Sequence, residues 1–169
     1  DIVCLHACCH NPTGVDPTPE QWQELSRVVS EGGLLPLVDF AYQGFGDGLE
    51  SDAAGLHALA GPDCRLLVAS SFSKNFGLYR ERVGALSVVT GDPDTAAVVL
   101  SRLKQTIRVN YSNPPSHGAA IVTTILGDEG LRAGWETELG AMRARINDTR
   151  QALADGLAET AAGHDFSSI

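Results

Sequence analysis

A lysine lies directly after an apolar, strand-like run, in the stretch SSFSK at positions 70–74. Arg80 and Arg82 follow it six and eight residues later. A lysine near other cations and partly out of water loses its proton more readily, and the neutral amine attacks a carbonyl to form an imine. Serine hydroxyls and an arginine are groups that bind a phosphate. The stretch therefore predicts a Schiff-base lysine, Lys74, beside a phosphate site, although a lysine in such a place is more often a solvated surface residue.

A carboxylate and a phenol follow the preceding apolar run. Asp39 ends that run, and Tyr42 comes three residues later. A buried acid holds the nitrogen of a pyridine ring protonated, and a phenol donates to an oxygen on such a ring. A turn-forming acid and a packed aromatic residue are the alternative interpretation. Together with Lys74, the two residues favour a site for a pyridine-type cofactor.

The stretch HACCH at positions 6–10 raises the possibility of a metal site. On a β-strand, His6, Cys8 and His10 share one face. A strand covered by helices on both sides leaves such groups no open coordination sphere, so we predict no metal here. We expect instead that this strand delivers Asn11, with Pro12-Thr13-Gly14 shaping the turn.

Alternating strands and helices must position these residues. The apolar runs predict strands at 2–8, 34–40 and 65–70 and helices at 18–32 and 51–60. In the first helix Thr18 is the expected N-cap, Pro19 the first helical residue, and Gln21 closes a capping box. The alternation predicts an α/β fold with a mostly parallel sheet and helices on both faces. The polar residues fall beyond the carboxyl ends of the strands, where such sheets bind ligands.

The second half of the chain is mainly helical. A strand at 83–89 follows the previous one after about ten residues, too few for a helical crossover of about a dozen, so we predict that it runs antiparallel. Helices are expected from Asp92 to about Thr106 and from 116 to 126. Apolar residues then keep three-and-four spacing from Leu131 to Leu157, which predicts one long final helix that leaves its domain.

Composition limits the classes of function. The net charge of −9 argues against nucleic-acid binding, which needs surplus Lys and Arg. No apolar run approaches the roughly 20 residues that span a bilayer, and the first residues lack the pattern of a signal peptide, so no membrane partner is predicted. The four cysteines do not suggest a disulfide framework, which favours a reducing compartment. We therefore predict a cytoplasmic protein with small-molecule partners.

Four segments of the sequence resemble the fold-type I aminotransferases that depend on pyridoxal 5′-phosphate (PLP), and most closely the aspartate aminotransferase subgroup. They are HNPTG at 10–14, VDFAYQGF at 38–45, SFSKNFGLYRERVGA at 71–85 and IRVNYSNPPSHGA at 107–119. The resemblance covers nearly the whole chain, yet it corresponds to well under half of a complete enzyme of this family. It implies that residues 1–130 are an incomplete PLP-binding large domain and that 131–169 form the interdomain helix and the start of the small domain.

The resemblance implies a role for each matching residue near the cofactor. Lys74 would form the Schiff base with PLP and shuttle a proton between the substrate Cα and the C4′ atom. Asp39 would pair with the pyridinium nitrogen, while Asn11 and Tyr42 would bond the ring oxygen O3′. Ala41 would pack on one face of the ring. The phosphate would be bound or supported by Ser71, Ser73 and Arg82.

The resemblance also implies substrate and partner. Arg108 would cross the interface of a homodimer and grip the distal carboxylate of a substrate in the neighbouring subunit, and Asn11 would contact the substrate as well. A guanidinium facing a second carboxylate selects aspartate and glutamate, which implies transamination of L-aspartate and 2-oxoglutarate to oxaloacetate and L-glutamate. Two alternatives stay open: an aromatic-amino-acid aminotransferase of the same subgroup, and a non-catalytic scaffold or effector-sensing domain.

Several parts of the family's site have no counterpart in these 169 residues. They are the glycine-rich helix start that holds the phosphate, the aromatic residue that stacks on the ring and the arginine that binds the substrate α-carboxylate. We therefore expect this polypeptide to be a fragment of such an enzyme, with weak or no activity by itself.

Overall fold

The structure, a computed structural model, describes residues 1–61, 64–161 and 163–166. Its first half contains β1 (Ile2–His6), α1 (Pro19–Glu31), β2 (Leu35–Phe40), a 3-10 turn (Ser51–Ala53) that leads into α2 (Ala54–Leu59), and β3 (Leu66–Ser71). Its second half contains β4 (Gly84–Val89), α3 (Pro93–Asn110), α4 (His117–Gly127) and α5 (Glu129–Thr160). The predicted element types are confirmed. The predicted segment 131–169 includes residues 162 and 167–169, which lie outside the described part of the chain.

The four strands form one sheet in the order β1-β2-β3-β4. β1, β2 and β3 run parallel, and β4 pairs antiparallel with β3. The connection from β3 to β4 contains no helix, so the chain returns as a hairpin rather than by a crossover. The predicted α/β class, the mostly parallel sheet and the antiparallel β4 are confirmed.

Helix α1 begins as its sequence predicts. The Thr18 hydroxyl accepts a hydrogen bond from the Gln21 N–H, and the Gln21 side chain accepts one from the Thr18 N–H, at 3.3 and 2.9 Å. The buried Trp22 then packs against α2 at Gly55, where a Cβ would lie 2.5 Å from the indole ring. A glycine at this position therefore lets the two helices approach closely.

Helices α1 and α2 cover one face of the sheet. The core on this face is a single cluster of buried residues, with Val38 fully buried and Phe40 and Val68 beside it. The opposite face is not covered by helices of the described residues, and Cys4 and Leu86 are exposed there. The prediction of helices on both faces therefore holds for one face within this part of the chain.

Helix α5 crosses the carboxyl edge of the sheet. Trp135 donates from Nε1 to the backbone of the loop after β3, and Arg143 donates to the backbone of the loop after β2. Farther along, Arg150 lies beside Gly14 in the loop after β1. One helix thus contacts all three loops that the sequence associates with chemistry. No described helix is both long enough and apolar enough to cross a membrane.

Candidate active site

The loop after β1 is shaped by its own polar side chains. Strand β1 ends at His6, so the predicted extension to Cys8 is wrong: beyond His6 only the N–H of Ala7 still pairs with β2, at the Asp39 carbonyl. The carboxylate of Asp16 then accepts the backbone N–H groups of Cys9 and His10 at 2.5 and 2.9 Å. The main chain therefore leaves the sheet early and turns Asn11 towards the neighbouring strand.

The predicted lysine, phenol and amide meet at this edge. Lys74 Nζ lies above the Tyr42 ring, 4.4 Å from the ring centroid, which is within the range of a cation–π interaction. The side-chain amide of Asn11 donates to the Tyr42 hydroxyl at 3.4 Å. Three different strand ends supply these groups, so the parallel sheet brings together residues that are far apart in sequence.

A cavity of about 760 Å³ opens beside Lys74 and Tyr42. Its other walls come from the loops after β1 and β2 and from α5, with Cys9, Asp47 and Arg150 among the lining residues. This volume lies in the range of sites for small molecules and cofactors. The cavity therefore places an amine and a phenol where a cofactor-sized ligand can reach them.

Asp39 and Ala41 lie on a second, more open cavity of about 480 Å³, on the uncovered face of the sheet. The Asp39 carboxylate accepts the N–H of Ala41 at 3.1 Å. Ser71 lines this cavity too, and its hydroxyl accepts the N–H of the buried Ser73 at 3.2 Å. Five of the predicted cofactor residues are therefore divided between two cavities, with Lys74 and Tyr42 on the first and Asp39, Ala41 and Ser71 on the second.

Arg82 and Arg108 are among the predicted residues that line neither of these two cavities in the described part of the chain. The exposed Arg82 has a φ of 51° and donates from Nη1 to the Tyr79 carbonyl at 3.0 Å. Arg108 is exposed on the last turn of α3, and it is not among the described residues that line the cavities near Lys74. The phosphate role of Arg82 and the substrate role of Arg108 stay predictions.

His6, Cys8 and His10 do not share one face of a strand, because β1 ends at His6. The rings of His6 and His10 lie 4.7 Å apart, and His10 Nδ1 lies 2.7 Å from the Thr13 hydroxyl. Among the described residues no group of three or more His, Cys, Asp or Glu is arranged to hold a metal ion. A hydrogen bond between the two thiols raises the pKa of Cys8 and lowers the pKa of Cys9.

Two residues that sequence reasoning missed hold the loops in place. The buried carboxylate of Asp52 accepts the backbone N–H groups of Gly44, Gly46 and Asp47 at 2.7, 3.1 and 2.8 Å, which fixes the loop that follows Tyr42. Asn75, next to Lys74, is also buried. An acid near a helix start signals only a cap, and Asn75 carries no local signal at all. Both roles depend on contacts with other segments.

A family model described as "Aminotransferase class I and II" matches residues 1–168. The chain belongs to this family. Among its relatives, the aspartate aminotransferase of Escherichia coli (strain K12) is 57% identical over 169 residues, which are 100% of this chain and 43% of that protein. The tyrosine aminotransferase of Klebsiella pneumoniae is 55% identical over 163 residues, 96% of this chain and 41% of that protein. The chain therefore spans less than half the length of these aminotransferases.

Solved aminotransferase structures have the same fold. An aromatic-amino-acid aminotransferase from Burkholderia pseudomallei, described as covalently bound to pyridoxal phosphate, matches with a TM-score of 0.95 and 53% identity. The match covers 99% of this chain and 42% of that one. The predicted resemblance to the aminotransferases and the predicted fold are confirmed.

Proposed function

We propose that this chain forms part of the cofactor-binding domain of a PLP-dependent aminotransferase that converts L-aspartate and 2-oxoglutarate to oxaloacetate and L-glutamate. The observation that carries the proposal is the meeting of the Lys74 amine with Tyr42 and Asn11 beside a cavity at the carboxyl edge of the sheet. An amine, a phenol and an amide from three strand ends are the groups that this chemistry needs at one point.

The chemistry of the donor set fits PLP. Lys74 offers an amine to the aldehyde, and the half-buried Asp39 offers a carboxylate to the ring nitrogen. Tyr42 and Asn11 offer donors to the ring oxygen O3′. Hydroxyl groups from Ser71 and Ser73, with the guanidinium of Arg82, match a phosphate.

When bound, PLP supplies an electron sink that stabilises negative charge on the substrate Cα. The other roles would belong to residues of this chain. Lys74 would hold the cofactor through its amine and would move the proton between the substrate Cα and C4′. Asp39 would keep the ring nitrogen protonated, Tyr42 and Asn11 would donate to O3′, and Ala41 would pack on one face of the ring.

The substrate preference depends on Arg108. Its guanidinium lies on an exposed helix away from the Lys74 cavity, which supports a role in the site of a second copy and hence a homodimer. A bidentate contact with a distal carboxylate favours aspartate and glutamate. Aromatic amino acids are the second candidate, because a tyrosine aminotransferase is 55% identical to this chain. A cytoplasmic location remains a prediction from composition.

Trapping with borohydride tests the proposed function. The chain contains two lysines, Lys74 and Lys104, which makes the experiment simple. We expect incubation with PLP and reduction to add one reduced PLP group to the wild type and to Lys104→Ala, but none to Lys74→Ala, as measured by intact mass. Equal labelling of Lys74→Ala would contradict the proposed role of Lys74. A folded wild type that takes up no PLP would favour the non-catalytic scaffold.

An activity assay tests the expectation about the isolated chain. We expect the purified 169-residue polypeptide to show no transamination of aspartate above background, because the chain lacks a match to the arginine that binds the substrate α-carboxylate. Turnover by the wild type that disappears in Lys74→Ala would contradict that expectation while supporting the assignment of Lys74.

A further inference from the structure

Asn75 joins the two loops that carry Lys74 and Tyr42. It follows Lys74 directly, and its side chain is buried, with 4% of its surface exposed. The side-chain Nδ2 donates to the backbone carbonyl of Gln43, next to Tyr42, at 3.2 Å. The hydrogen bond therefore links the neighbour of the lysine to the neighbour of the phenol.

Burial of the Asn75 side chain includes a contribution that is unfavourable for folding. Among the described residues, its Oδ1 atom is buried without a hydrogen-bond partner. A buried polar atom without a partner is unfavourable, and such atoms are uncommon in folded proteins. An apolar residue of similar size would avoid this cost but would lose the hydrogen bond to Gln43, which is the contact that the amide group makes here.

Helix α5 holds Asn75 from the other side. The indole Nε1 of Trp135 donates to the backbone carbonyl of Asn75 at 2.7 Å. The same indole stacks on Phe76, with ring centroids 4.5 Å apart and planes 14° from parallel. Asn75 and Phe76, the two residues after Lys74, are thus held between Gln43 and α5.

The same helix also fixes the loop after Tyr42. Arg143 donates from Nη1 to the Gly44 carbonyl at 2.9 Å. Leu139, one turn earlier, is 1% exposed and packs on Gly44, where a Cβ would lie 2.4 Å from the leucine Cδ2. Gly44 has a φ of 94°, so only glycine fits both the backbone and the contact.

We propose that Asn75 is a positioning residue that sets the distance between the Lys74 amine and the Tyr42 phenol. Trp135 and Arg143 of α5 stabilise this arrangement through their contacts with the two loops. The proposal rests on the proposed function, in which Lys74 and Tyr42 act together. It adds that a helix across the edge of the sheet controls their geometry. A movement of α5 then changes the separation of amine and phenol.

The lysine signals in an NMR spectrum test this proposal without any cofactor. Incorporation of lysine labelled with ¹³C at the ε position gives two signals, from Lys74 and Lys104. The Lys74 signal is expected upfield, since its Nζ lies over the Tyr42 ring. In Asn75→Leu we expect it to move towards the Lys104 signal, whereas the exposed control Asn110→Leu leaves it in place. An unmoved Lys74 signal in folded Asn75→Leu, or two coincident signals in the wild type, overturns the proposal.

Variants of α5 keep the proposal testable if Asn75→Leu does not fold. Trp135→Phe removes the indole N–H but keeps an aromatic ring against Phe76, and Arg143→Met removes the contact with Gly44. We expect each to move the Lys74 signal in the same direction by a smaller amount, while the exposed control Arg145→Met leaves it in place. A Lys74 signal that both variants leave unchanged overturns the proposal.

The absorption of bound PLP provides a readout that a merely structural role would not move. Tyr42 stabilises anionic O3′ and so lowers the pKa of the nitrogen that joins Lys74 to PLP. Asn75→Leu should therefore raise the pH midpoint of the absorption change by about one unit, while Asn110→Leu keeps the wild-type midpoint. An unchanged midpoint in Asn75→Leu contradicts the positioning role. If the wild type takes up no PLP, the proposed function fails, and the NMR comparison still decides this inference.

Discussion

The two regions that carry the proposed functional residues are built in different ways. The loops that carry Lys74 and Tyr42 are tied to each other through Asn75 and to α5 through Trp135. Helix α3, which carries Arg108, has no fully buried residue, and three of its large apolar side chains, Val98, Leu100 and Val109, are exposed. The first region is fixed by contacts inside the chain, whereas the second presents its surface outwards.

This difference corresponds to the proposed division between cofactor binding and substrate choice. The residues proposed to hold PLP and move protons are positioned by hydrogen bonds within the described chain. The residue proposed to select a dicarboxylic substrate lies on a helix whose surface is not covered by the described residues. The proposed substrate specificity would therefore depend on contacts with further polypeptide, from the same or another subunit, more than the proposed lysine site would.

The largest expected contrast is between two leucines. Leu139→Ala removes a side chain that is 1% exposed and leaves a cavity against Gly44, which should lower the free energy of unfolding by about 3 to 4 kcal/mol. Leu100→Ala on α3, where the leucine is 52% exposed, should cost less than about 1 kcal/mol. Urea denaturation measures both values. Similar losses for the two variants would remove the distinction between a fixed and an exposed region.

Asp52 tests the loop that follows Tyr42. Asp52→Ala leaves the N–H groups of Gly44, Gly46 and Asp47 without their acceptor and should lower the free energy of unfolding by about 2 to 3 kcal/mol. The exposed Asp148→Ala on α5 is the control, with an expected change within about 0.5 kcal/mol. An Asp52→Ala variant as stable as the Asp148→Ala control would show that other contacts hold the loop.

Trp135 gives a smaller effect at the same edge. Trp135→Phe deletes the donor to the Asn75 carbonyl and should cost about 1 to 2 kcal/mol, because a buried acceptor loses its partner and part of the ring contact is lost. Thermal unfolding followed by circular dichroism measures the change. A variant as stable as the wild type would mean that the Asn75 carbonyl accepts a hydrogen bond from water in place of the indole.

Arg108 should have the smallest effect. Arg108→Ala should change the free energy of unfolding by less than about 0.5 kcal/mol, because the side chain is exposed and no described ion pair holds it. Trapping of PLP on Lys74 should also remain at the wild-type level. A marked loss of stability or of PLP trapping would show that Arg108 supports the lysine site of its own chain. It would contradict the distinction between the lysine loops and α3.

Local signals predicted most of the fold. The capping box of Thr18 and the period of the apolar residues gave α1, and the short link to the fourth strand gave its direction. Helix α3 extends to Asn110, beyond the predicted end near Thr106, because the next residues still allow helical hydrogen bonds and no proline intervenes before position 114. Strand β1 ends earlier than predicted because the backbone N–H groups of Cys9 and His10 donate to the Asp16 carboxylate instead of to a neighbouring strand.

The site was only partly predictable. Lys74, Tyr42 and Asn11 follow strands and could be placed together by the topology of a parallel sheet. The support of Asn75 and Asp52 could not be predicted, because it joins segments that are distant in sequence or depends on the path of one loop. The roles of Arg82 and Arg108 rest on resemblance, since neither side chain reaches the cavities of the described chain.

The antiparallel return of β4 also bears on how the lysine site assembles. Its hairpin pairs Ser71 with Gly84, close in sequence, whereas β1 pairs Ile2 with Leu35 across a helix. Closing a short loop costs less chain entropy than closing a long one, and local pairings form sooner. The loop that holds Lys74 is thus bracketed by the most local pairing in the sheet, and during folding the lysine should be in place before Tyr42 and Asn11 arrive beside it.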